Sequence, residues 1–169
     1  VSKGGTDTQE GEFNADGFEG EEYRLRAAIS GPIGENLSAR LTGFYGSFDG
    51  NITNINGGRN DKVNGYERYG VRGIMDYDDG GNTVRLIADY YKADDDCCVD
   101  VTGASRGAAQ DALLGLPNGV AIGENQRFIN NDLVTSTQDQ QWSLTGTGDF
   151  EITDTHTLSV VLGYRNWEN

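Results

Sequence analysis

Three observations on this 169-residue sequence predict an all-β fold, an antiparallel up-and-down meander of about six strands in three hairpins, with a short helix in a long loop. Six stretches alternate apolar and polar residues with period two, the signature of strands with two unlike faces. Three of their connections are short and rich in Gly, Asp and Pro, as hairpin turns are, while the other two are long. Each stretch also carries a tyrosine or tryptophan on its apolar face, about 8 to 11 residues from the short turn.

The first strand, about 22–32, sets Tyr23, Leu25, Ala27 and Ile29 against Arg24, Arg26, Ala28 and Ser30. A turn at 31–35 leads into the second, about 36–48, with Leu37, Ala39, Leu41 and Tyr45 against Ser38, Arg40 and Thr42. The third, about 66–77, sets Tyr69, Val71, Met75 and Tyr77 against Arg68, Arg72 and Asp76. After a turn at 78–81, the fourth, about 82–92, opposes Val84, Leu86, Ala88 and Tyr90 to Arg85, Ile87 and Asp89. The fifth, about 138–152, has Trp142, Leu144 and Phe150 against Ser143 and Asp149. A turn at 153–155 precedes the sixth, about 156–167, with Leu158, Val160, Leu162 and Tyr164 against Ser159, Val161 and Arg165.

The two long connections, about 46–65 and 93–137, exceed what a compact domain ordinarily tolerates without secondary structure. Transmembrane β-barrels expect them, having short turns on the periplasmic side, long loops outside and aromatic girdles at both interfaces. At about 3.3 Å per residue and a tilt of about 40°, Tyr23, Tyr45, Tyr69, Tyr90, Trp142 and Tyr164 lie roughly 20 to 28 Å above the turns, matching an apolar band about 25 Å tall. They form the expected lipid-facing girdle, with Tyr77 and Phe150 near the turn end as its lower counterpart. Arg24, Arg26, Arg40, Arg68, Arg72, Arg85, Arg165, Asp76 and Asp89 point to the opposite, lumen-facing side. Cross-strand pairs there contribute about 0.2 to 1 kcal/mol each, whereas the same arginines on lipid would cost roughly 2 to 4 kcal/mol near the midplane.

Composition agrees with a wall that is apolar on one face only: 25 glycines, 36% hydrophobic residues and a mean hydropathy of -0.58 are lean for a soluble core. The net charge of -14 argues against nucleic acid, which selects clustered Lys and Arg. There is no initiator methionine, signal peptide or apolar run long enough for a transmembrane helix. Six strands are too few to close an outer-membrane barrel, so the chain is expected to be a piece of a longer protein whose remaining strands cover its edges.

Several segments resemble the barrel domain of TonB-dependent outer-membrane receptors. Ser30-Gly31-Pro32-Ile33 followed by Asn36-Leu37-Ser38-Ala39-Arg40 looks like an early hairpin of that family, and Asp49-Gly50-Asn51-Ile52-Thr53-Asn54 like the loop after it. The stretches 69–76 and 84–91 resemble the next hairpin, an arginine-glycine strand followed by one ending in Asp89-Tyr90. The resemblance implies a 22-stranded barrel with a plug domain, in the outer membrane of a Gram-negative bacterium. It also implies active uptake of a scarce nutrient, an iron-siderophore, cobalamin or a saccharide, energised by TonB. The partners expected are thus membrane lipid, the plug and remaining strands, a small nutrient ligand and, indirectly, TonB. The plug, the TonB-contacting segment and the C-terminal aromatic strand signal do not occur within these 169 residues, so this piece alone is expected to transport nothing. Two other readings are a soluble extracellular β-sheet binding module and a surface barrel without transport.

In the second loop, Asp94 to Asp96 with Asp100 bring four carboxylates into seven residues, but the spacing of a calcium loop is missing, and a solvated acidic loop is the simpler expectation. Cys97 and Cys98, the only cysteines, are read as a loop disulfide, within the pair or to parts not present. His156 sits at the turn end, too far along the sheet to join them around zinc. A short helix is expected over 105–116, with Ser105 as N-cap and Gly115 and Pro117 as a stop. No nucleophile elbow or phosphate loop is present, so neither catalysis nor a cofactor is expected.

Overall fold

A computed structural model describes residues 3–58, 60–97, 99–101, 107–108, 127–133 and 135–169, with Cys97 as backbone alone. Seven strands form one antiparallel meander: β1 (Glu10–Phe18), β2 (Glu22–Gly34), β3 (Leu37–Phe48), β6 (Tyr66–Asp78), β7 (Asn82–Cys97), β9 (Thr135–Thr153) and β10 (His156–Glu168). Between them, β4 (Ile52–Asn54), β5 (Asp61–Val63) and β8 (Phe128–Ile129) make a separate three-stranded sheet in the order β5-β4-β8. The all-β antiparallel meander predicted by alternation is the observed fold.

The sheet carries one strand more than the alternation suggests. β1 pairs with β2 along its whole length, from Glu10 opposite Ser30 to Phe18 opposite Glu22, through a tight turn at Glu19–Glu21. Gly20 (φ 98°) and Glu21 (φ 65°) both occupy the left-handed region there. At one end the hairpins close at 35–36, 79–81 and 154–155. The opposite end holds the β1–β2 turn and both long connections, which are shorter than expected because the strands run further. β7 continues through Asp94, Asp95 and Asp96, each paired with β9.

Among the described residues the main sheet has no apolar core on its apolar face. Its buried residues other than glycine are Ala28, Ser30, Ile74, Ala93 and Ser143, and alternation places all five on the polar face. Side chains two strands apart meet on that same face. Tyr66 on β6 donates its hydroxyl to Glu22 on β2 at 2.6 Å, and Phe44 on β3 approaches Tyr91 on β7 with ring centroids 6.1 Å apart. Phe44 and Tyr91 reach each other across Gly70, where a Cβ would stand 2.7 Å from the Phe44 ring and 2.9 Å from the Tyr90 carbonyl oxygen. The residues 3–9 also run over this face, with the Gly5 amide donating to Asp76 at 2.7 Å and Thr6 donating to Ser30 at 2.8 Å.

Among the described residues the apolar cluster of buried residues, Ile52, Val63, Val99 and Ile129, lies in the small sheet at the loop end. It joins the two long connections into one cap. β4 pairs in parallel with β8, and the Thr53 amide donates to the Arg127 carbonyl at 2.7 Å. The expected helix over 105–116 lies outside the described residues apart from Gly107 and Ala108. In the first long connection Asn56–Gly58 form a single 3-10 turn.

Candidate functional site

The outward face of the main sheet is its apolar one. Tyr23, Leu25, Ile29, Leu41, Val71, Leu86, Leu144, Leu158 and Leu162 are all exposed, and no described layer covers them. A trough of about 590 Å³ crosses this face, lined by Ile29, Leu41, Met75, Leu86 and Leu144 above the small residues Gly73 and Ala88. Burial is inverted relative to a soluble sheet, in which the apolar face packs inward.

The six aromatic residues singled out by sequence share this face, and the register places them on a staircase. Tyr23 stands opposite Ser47. One step of two residues nearer the turns, Tyr45 and Tyr69 face each other directly. A second step down, Tyr90 and Trp142 form the next facing pair, and a third reaches Tyr164 opposite Leu144. The row that begins at Tyr23 reaches β9 at Gln138, so Tyr164 lies six residues of register lower across the five strand gaps from β2 to β10. Six residues are about 20 Å along a strand and five gaps about 24 Å across the sheet, a slope of about 40°. A line drawn through aromatic side chains at one height on a tilted barrel has this slope, since such strands lean by roughly 35 to 45°. Ring contacts tie neighbours together: Tyr69 and Tyr90 at 6.2 Å, Trp142 and Tyr164 at 5.0 Å.

On the polar face the structure pairs most of the predicted charges. Arg68 chelates Asp95 through two bonds, of 2.8 and 2.6 Å. Arg72 bonds Asp89, whose second oxygen accepts from Ser143 at 3.1 Å. Arg85 bonds Asp76, Arg24 bonds Glu22 and Tyr66, and Arg40 reaches Glu12 of β1 at 3.5 Å. Arg26 sits in register with Phe44, and Arg165 with Ser143. Asp95 in this network argues against a cation loop at 94–96: as neighbours on one strand, Asp94 and Asp96 lie on the face opposite Asp95. No cluster of metal-ligating residues occurs among the described residues. The expected disulfide of Cys97 and Cys98 falls outside what is described. His156 lies at the last turn against Thr153 and Thr155, at the end of the sheet remote from Cys97.

The cap depends on two asparagines whose roles the sequence does not show. Asn54, 2% exposed, donates to the Asn131 carbonyl at 2.8 Å and accepts from the Asn131 amide at 3.2 Å. Asn64 does the same to Val99, at 2.7 and 3.0 Å. Each amide side chain mimics a strand's backbone and fastens one loop to the other. Glu21 in the first turn bonds Lys62 of β5, which holds the Glu21 carboxyl below its ordinary range and raises the Lys62 ammonium. Near the cap, a cleft of about 580 Å³ opens among Asp49, Lys62, Tyr66, Glu67, Asp94 and Asp96.

Compared with protein-family models, with characterised proteins and with solved structures, the chain matches none.

Proposed function

We propose that this chain forms part of the wall of an outer-membrane β-barrel, with its apolar face toward lipid, its polar face toward the lumen and its capped loops outside the cell. The observation that carries the reading is the exposed apolar face bearing an aromatic staircase at about 40°, the slope a horizontal girdle has on tilted strands. A soluble sheet gains nothing from aligning exposed aromatics along a diagonal. Among the described residues both outermost strands, β1 and β10, offer a free edge, as sheet continuing into further strands would. The barrel class is that of the nutrient receptors the sequence resembles, in which TonB drives uptake through a plug. Within that reading the cap made by β4, β5 and β8 supplies ligand recognition, because a loop held by its own core and by Asn54 and Asn64 is ordered before the ligand arrives.

The two tryptophans provide the test, since Trp142 lies on the apolar face and Trp167 on the polar face. In vesicles of brominated phosphatidylcholine, the Trp167→Phe variant, which retains Trp142, is expected to be quenched by lipid bromine and sheltered from aqueous acrylamide. The Trp142→Phe variant is expected to behave oppositely. A folded sheet in which Trp142 stays open to acrylamide and untouched by bromolipid overturns the membrane reading.

A further inference from the structure

The polar face holds a cleft of about 500 Å³ that the pairing of the wall does not fill. Its floor is the register row Thr42, Arg72, Asp89, Ser143 and Arg165, which crosses β3, β6, β7, β9 and β10. One side is the Phe44 and Tyr91 ring pair over Gly70. Arg40 and Lys3 also line it. Four cationic side chains therefore surround one carboxylate, in a chain whose net charge is -14. That carboxylate is already engaged, Asp89 holding Arg72 with one oxygen and Ser143 with the other. Arg165 and Lys3 have no ion-pair partner among the described residues. The Arg40 side chain is only 11% exposed, and its one acceptor, Glu12, lies at the long distance of 3.5 Å.

We infer that this cleft binds a small planar organic anion, its carboxylate held by Arg165, Arg40 and Lys3 and its flat body against Phe44 and Tyr91. The volume is that of small-ligand pockets, roughly 300 to 1,000 Å³, too small for a folded polypeptide segment. Guanidinium forks match carboxylates in two parallel bonds, and each also accepts the face of a ring beside it. Elsewhere on this face Arg24, Arg68 and Arg85 each bond a carboxylate closely, whereas of the four cations at the cleft only Arg72 does. The inference needs only the folded sheet and holds whichever environment the apolar face meets.

The probe is 4-fluorobenzoate, followed by ¹⁹F NMR against the 169-residue chain in a zwitterionic detergent, with circular dichroism reporting the sheet. 4-Fluorobenzamide serves as the neutral analogue of the same shape. Saturable binding of the benzoate at least about tenfold tighter than the amide is expected, weakening about tenfold in Arg165→Gln and measurably in Lys3→Gln, both at positions outside the pairing network. Thr42→Phe, which fills the floor without altering charge, is expected to remove it as well. Equal binding of benzoate and benzamide, insensitivity to Arg165→Gln and Thr42→Phe in chains with unchanged dichroism, or no saturation by the benzoate would each overturn the assignment.

Discussion

Asp79 illustrates how a single side chain fixes a turn. Its carboxylate accepts from the amides of Asn82 at 2.7 Å and Gly81 at 3.0 Å, while Asp78 accepts from Gly80, whose φ of 91° a glycine adopts without strain. These backbone bonds favour the charged form and hold the Asp79 carboxyl down at about 2. A depressed carboxylate stabilises the fold above its ordinary value, and that contribution disappears as pH falls through the folded one. The β6–β7 turn should therefore keep its amide shifts down to about pH 4 and lose them with a midpoint near 2 at Gly81 and Asn82, as followed by NMR. A midpoint at the ordinary value for Asp would show that the bonds do not form. At this scale the facing of charges was legible, because parity along a strand puts Arg72 and Asp89 on one side whatever else the chain does. The bonds of Asn54 and Asn64 were not, since their partners lie 77 and 35 residues away and nothing local to either asparagine points to them.

Among the elements, the strands with large apolar residues at every second position declared themselves, and β1 did not. Its outward face is Gly11, Phe13, Ala15 and Gly17, so a single large side chain carries the period, and pairing with β2 decides the strand instead. The end of β7 escaped for the opposite reason. Asp94 to Asp96 has loop composition, but Arg68 neutralises Asp95 and Gln138 donates to Asp94 at 2.9 Å, which lets the ladder continue. The cap was hidden in loops because its strands are two or three residues long and close only on each other. Ile129, 5% exposed in its core, is the residue on which that closure tests best. Ile129→Ala should weaken the cap by about 2 to 5 kcal/mol, the usual cost of such a truncation. Hydrogen exchange would then speed up at Thr53 and Ile55, whose amides bond across to the second loop, while amides within β2, β3 and β6 keep their protection. Loss of protection throughout would mean that cap and wall form one cooperative unit.

At the scale of the whole molecule, the question is which face meets what. The sheet exposes Leu86 and Leu162 on one side and Val161 on the other, at 42%, 69% and 72% respectively, so exposure alone ranks the valine as the freest to change. In water, arginine at any of the three would alter stability by no more than about 0.5 kcal/mol, as surface substitutions do. In a bilayer the positions separate. Leu86 lies four residues below Tyr90 on the same face, which at about 3.3 Å per residue and a lean of about 40° is roughly 10 Å beneath the girdle, near the middle of a band about 25 Å tall. Leu86→Arg should cost about 2 to 4 kcal/mol there, and Leu162→Arg, closer to Tyr164, less. Val161→Arg faces the hydrated side and should be neutral. Unfolding of the three variants in lipid vesicles, followed by circular dichroism in urea, therefore distinguishes two environments for adjacent residues of one strand. If Leu86→Arg and Leu162→Arg are tolerated as well as Val161→Arg, the apolar face does not meet lipid and the staircase requires another partner.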